Sequence, residues 1–139
     1  CDELWHAGDF GNLATADAIA AFKPLRGVYG NIDDHRVRLV YPEFNAFECE
    51  GMKVLMTHIG GYPKHYDYKA LRKIEEFRPD IFISGHSHIL KVMPDRERGL
   101  LHINPGAAGR QGFHYVRTAV RIEINNGKIE NLEVGEWER

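Results

Sequence analysis

Residues 81–88 read Ile-Phe-Ile-Ser-Gly-His-Ser-His, and this stretch decides the fold. A continuous apolar triplet is too short for a helix and predicts a strand buried on both faces. The strand empties into Gly85-His86-Ser87-His88, where a purely structural role would set two polar rings beside an apolar run. In a strand, histidines at i and i+2 share a face; after Gly85 they can diverge toward two different metals.

The same pattern recurs upstream. Leu4-Trp5-His6-Ala7 is a short apolar run stopped by Gly8-Asp9, and a second, Leu25 to Tyr29, ends in Gly30-Asn31-Ile32-Asp33. Phe47 and Cys49 lead through Glu50-Gly51 into Lys53 to Thr57, a hairpin whose second strand runs straight into His58. Four strand ends therefore deliver Asp9, Asn31, His58 and the pair His86 and His88. Ligands of open α/β sheets bind at the carboxyl ends of strands, so the pattern predicts one convergent site. Singly, each has a plainer explanation: Asp9 an acidic helix-start residue, Asn31 a turn residue, His58 a satisfied histidine.

Helical spacing covers Asn12 to Phe22 and Tyr68 to Phe77, stopped before Pro24 and Pro79. Val37, Leu39 and Tyr41 alternate and predict a strand, and residues 60–67 read as loop. Leu90 to Met93 and Leu100 to Ile103 are expected strands, 104–112 a Gly-rich loop, and Asn126-Gly127 a hairpin turn between alternating runs. Strand and helix alternate first and strands alone follow, which fits an α/β sandwich.

Composition narrows the function. The 139 residues make one domain, with 43% hydrophobic and 27% charged residues, as in ordinary soluble proteins. Lys+Arg 18 against Asp+Glu 20 excludes a binder held on nucleic acid by phosphate neutralisation. No apolar run approaches the roughly 20 residues of a membrane span. Two cysteines make no disulfide framework, so a reducing cytoplasm is expected. No Gly-rich loop with a Lys-Ser/Thr end is present, which removes P-loop nucleotide hydrolysis. Eight histidines are the unusual figure. The chain opens Cys1-Asp2-Glu3 without Met and is read as a single domain over 1–139 that lacks its N-terminal strand and helix.

Together, Gly8-Asp9, Gly30-Asn31-Ile32-Asp33, His58, Gly85-His86-Ser87-His88 and Asn104-Pro105-Gly106 resemble the calcineurin-like metallophosphoesterases. The likeness is strongest to their small phosphodiesterase branch, which includes the retromer-subunit-like proteins, and it covers nearly the whole chain. It implies a four-layer α-β-β-α sandwich and two divalent transition-metal ions, manganese first, with iron, nickel or zinc also suited to the mixed N/O shell. One metal would take Asp9, Asn31, His58 and His86. The other would take Asp9, His88 and an Asp-x-His motif that the family carries upstream and this chain does not contain. A hydroxide held between the metals would then attack the phosphorus of a small phosphodiester.

Many members place a proton-donating histidine where this chain has Ile32; His35 is the candidate to replace it. Asn31, Arg110 and His65 are candidate substrate contacts, with His114 beside Arg110, while His6 and His102 read as core. A homo-oligomer is left open. The rival reading is a protein-interaction scaffold of the same fold with a degraded site, against which the five intact ligands argue. A metal-dependent amidohydrolase fails on length, because its barrel needs about 250 residues.

Overall fold

The computed structural model describes residues 1–109 and 116–138. In chain order its elements are β1 (Leu4–His6), α1 (Leu13–Phe22), β2 (Leu25–Gly27), α2 (His35–Val40), β3 (Phe44–Cys49), β4 (Met52–Thr57), β5 (Gly61–Tyr62), β6 (His65–Tyr66), α3 (Tyr68–Phe77), β7 (Ile81–Ile83), β8 (Lys91–Asp95), β9 (Leu100–Asn104), β10 (Val116–Asn125) and β11 (Lys128–Glu138). No helix among the described residues is long and apolar enough to cross a membrane.

β7 sits at the centre of a five-stranded sheet ordered β3-β4-β7-β9-β8, parallel to both its neighbours. All three of its residues are buried, as a strand covered on both faces requires. Successive side chains point to opposite faces. Val54, Met56, Ile81, Ile83 and Ile103 therefore build one core and Leu55, Phe82 and Leu100 another. The first core is closed by Trp5, Ala7 and Val28 and by the inward residues of the β10–β11 hairpin, among them Val120, Ile122 and Leu132. The second is closed by Ala70, Ile74 and Phe77 of α3. A third cluster, Phe10, Ala16 and Val37, joins α1 and α2 to the outer side of the parallel β1–β2 pair. Three cores between four layers give the expected α-β-β-α order.

Two expectations need correction. Val37, Leu39 and Tyr41 do not alternate across a strand, because His35–Val40 is a helix. Asp34 caps it, accepting from Arg36 N at 3.0 Å and Val37 N at 3.3 Å. Val37 is buried, Leu39 is 83% exposed, and Tyr41 just past the helix packs on Phe10 with ring centroids 4.7 Å apart, so the inward residues stand four apart, at helical and not strand spacing. Residues 60–67 are also not all loop: β5 and β6 pair Gly61 with Tyr66 and Tyr62 with His65, and Ser84 Oγ donates to Gly61 O at 3.1 Å.

Candidate metal centre

β1, β2, β4 and β7 all discharge their chains toward one spot. His58 follows β4 directly and is buried; His86 stands three residues beyond β7, and Asp9 three beyond β1. His58 Nε2 lies 2.9 Å from Asn31 Oδ1 and 3.2 Å from Asp9 Oδ2, and His86 Nδ1 lies 3.0 Å from the same Asn31 oxygen. The two imidazoles meet edge to face with centroids 5.2 Å apart. Asp9, His86 and His88 all hold left-handed backbone, at φ 62°, 68° and 62°. Such angles are uncommon outside glycine and collect at functional sites.

Close packing of the loops demands glycine at two places. A Cβ at Gly30 would lie 2.0 Å from Asp9 Oδ1, and one at Gly8, itself at φ 101°, would lie 2.5 Å from His58 Nδ1. Either contact would push a ligand side chain out of the cluster.

Two residues whose roles are not legible in the sequence hold the loops. Asp33 is buried, and its carboxylate accepts from Asp9 N, Phe10 N, Gly11 N and Gly30 N at 2.8–3.2 Å. It ties the Asp9 loop to the Asn31 loop. The available signal was a second acid two residues after Asn31 in the Gly-Asn-x-Asp turn. Asn104 donates to Gly85 O and Ser87 Oγ, both at 3.1 Å, and accepts from Gly106 N at 3.0 Å, pinning the loop that carries His86 and His88. His6 contributes too: Gly8 N donates to its Nδ1 at 3.1 Å, and burial lowers its pKa to about 4, so it stays a neutral acceptor.

The donor set fits a cation. His58 Nδ1 lies 2.7 Å from Ala7 O, which can only accept, so Nδ1 carries the proton of a neutral ring and Nε2 presents a lone pair. That lone pair faces the oxygens of Asp9 and Asn31, which also carry lone pairs. Three such atoms at hydrogen-bond distance repel unless a positive charge lies among them, either a second proton on the ring or a metal ion. Ligands each ~2.1 Å from one metal and at right angles are ~3.0 Å apart, which matches the separations seen. Among the described residues no three His, Cys, Asp or Glu side chains form a metal-holding group by themselves. The amide of Asn31, which both imidazoles approach, is what joins the set.

His88 is half-buried, two residues past His86 on the same loop. His35 opens α2 and is exposed, and Ile32 is 60% exposed while its backbone N–H donates to Asp9 Oδ1 at 3.2 Å. His65 stands on β6 with its ring 5.0 Å from that of Tyr62, lining a cleft of about 390 Å³ that also reaches His86. A larger apolar concavity of about 590 Å³, lined by Leu4, Ile19 and Phe22, carries no acid or base and lies over α1. Arg110 and His114 fall outside the described residues.

Residues 1–127 match the family model of the calcineurin-like phosphoesterase superfamily domain. The chain belongs to that superfamily. A "Probable metallophosphoesterase" of Methanothermobacter thermautotrophicus is 30% identical to this calcineurin-like chain over 107 residues. The match covers 75% of this chain and 59% of that relative's length. Among solved structures, Vps29 of Entamoeba histolytica complexed with zinc superposes with a TM-score of 0.73 at 18% identity, covering 99% of this chain and 82% of that one. A structure described as a novel archaeal phosphodiesterase gives a TM-score of 0.71 at 20% identity, covering 96% and 82%. Identities this low establish the shared calcineurin-like fold.

Proposed function

We propose that this domain is a metal-dependent phosphodiesterase acting on small phosphodiesters in the cytoplasm. The observation that carries the reading is the convergence of Asp9 Oδ2, Asn31 Oδ1 and His58 Nε2 at 2.9–3.2 Å, with His86 Nδ1 on the Asn31 oxygen. Asp9, Asn31, His58 and His86 would hold one divalent transition metal, manganese first. Asp9 and His88 would contribute to a second. Divalent cations held by these residues would supply an acidified water and positive charge to offset that on the phosphoryl oxygens. The protein's own part is to fix that geometry: Ala7 O sets the His58 tautomer, Asp33 and Asn104 hold the ligand loops, and Asn31 stands where it can also meet a phosphoryl oxygen.

The test is metal content by mass spectrometry together with hydrolysis of bis-p-nitrophenyl phosphate. His86→Ala is expected to lose the bound manganese and the hydrolysis. Residues 1–139 by themselves, with one ligand set complete, should hold one equivalent. Unchanged stoichiometry in His86→Ala would overturn the ligand assignment. A wild-type protein that binds no metal and hydrolyses nothing would favour a scaffold.

A further inference from the structure

The cleft beside His86 has a lining that the ligand cluster does not explain. On it lies His102 of β9, only 1% exposed. Its ring stacks on Phe82 with centroids 5.6 Å apart, and its Nδ1 donates to Phe82 O at 3.2 Å. Burial lowers its pKa to about 4, so the ring is neutral at physiological pH and Nε2 is an acceptor. That nitrogen accepts no hydrogen bond among the described residues. A buried acceptor that no described residue serves is open to a donor group entering the cleft, and pairing it there removes a desolvation cost.

The walls are apolar and aromatic. Tyr62 and His65 face the cleft from the β5–β6 pair. Ile59 and Ile89, 45% and 62% exposed, directly follow His58 and His88 and stand at the same cleft. Exposed isoleucines beside ligand loops gain nothing in water but would cover an apolar group. Lys91 sets its ammonium 4.0 Å over the Tyr62 ring, and Asp67 lines the same cleft, so its wall carries one charge of each sign.

We propose that this cleft is the subsite for one organic ester group of the substrate, and that the group it takes is a flat aromatic or heteroaromatic ring bearing an N–H or O–H. The inference rests on the phosphodiesterase reading for where phosphorus sits and adds what is attached to it. Aromatic walls favour planar rings, and a volume of about 390 Å³ falls within the range of small-ligand pockets. The His102 acceptor supplies the donor requirement, because a ring without one would offer nothing to an Nε2 that no described residue serves.

Isothermal titration of the manganese-loaded protein with four probes tests this: inorganic phosphate, cyclohexyl phosphate, phenyl phosphate and 4-aminophenyl phosphate. Affinity should rise in that order, with the aromatic ring adding about fivefold to tenfold over cyclohexyl. Tyr62→Ala should weaken the two aryl probes and leave cyclohexyl phosphate unchanged. His102→Phe, which keeps a ring beside Phe82, should erase the preference for the amino group alone. Equal affinity for cyclohexyl and phenyl phosphate, or equal losses on all probes in Tyr62→Ala, would overturn the aromatic subsite. An amino preference that survives His102→Phe would overturn the role of Nε2. Failure of inorganic phosphate itself to bind would instead count against the phosphodiesterase reading.

Discussion

Asp33 accepts four backbone N–H bonds with one buried carboxylate, so its charge is offset by amides and not by a cation. In Asp33→Asn one oxygen becomes an NH₂ that points at N–H groups. Hydrogen bonds to a charged group contribute about 1.5–3 kcal/mol each and an unpaired buried donor costs a further 1–3, so a loss of about 2–4 kcal/mol is expected after relaxation. Urea unfolding measures it, and manganese affinity should fall with it, because the same bonds align Asp9 and Asn31. Ile32 makes a second argument at this scale. Its N–H serves Asp9, but its side chain donates no proton, and a general acid contributes about 10²–10⁴-fold when the leaving group is a poor alkoxide. Aryl phosphodiesters should therefore be the better substrates. Ile32→His should raise activity on alkyl esters more than on aryl ones, and His35→Ala should change both little. Selective loss of alkyl ester hydrolysis in His35→Ala would make His35 the acid.

At the scale of elements, α2 shows capping deciding against periodicity. Its six residues include three β-branched or bulky apolar side chains, but Asp34 satisfies two of the helix's orphan N–H groups, and Val37 needs only one inward position to pack on Phe10 and Ala16. Arg38 then bonds Asp33 O at 2.8 Å and lies 4.5 Å over the Tyr29 ring, so the helix braces the turn that presents Asn31. Asp34→Ala should lower stability by about 1 kcal/mol in urea unfolding. It should also weaken metal binding slightly, since the brace frays with the helix. If stability falls without any change in metal affinity, α2 is only packing.

Across the whole molecule, the two outer cores each keep a neutral histidine: His102 stacks on Phe82 of the core closed by α3, and His6 stacks on Phe10 of the α1–α2 cluster. His102 has a pKa near 4 in the folded state against an ordinary value of 6.5. Between those values the unfolded chain binds the proton and the folded one does not, so stability is complete above pH 6.5 and falls as pH drops toward 4. The two values correspond to about 3 kcal/mol. His6 acts in the same direction. Urea midpoints from pH 7 to 4 should decline less in His102→Phe than in the wild type by about that amount; parallel declines would show that His102 is solvated in the folded protein.

The sequence by itself determined the buried strands and the residues at their carboxyl ends, because short continuous apolar runs and Gly breaks are local properties of the chain. It therefore made Asp9, Asn31, His58, His86 and His88 legible as one set before any contact was known. The tertiary structure decided what is non-local. Asp33 reaches 22–24 residues back to the Asp9 loop, and Asn104 reaches 19 residues back to Gly85; both stand in quoted motifs, but nothing in the motifs shows which distant backbone groups they bond. His102 reads as core in sequence, and only packing leaves its Nε2 without a donor among the described residues, on a cleft lined by residues from β5, β6 and the ligand loops. The helix at α2 escaped for the same reason: its capping carboxylate and the inward pair Val37 and Tyr41, four residues apart, outweigh an alternation whose middle member, Leu39, faces water.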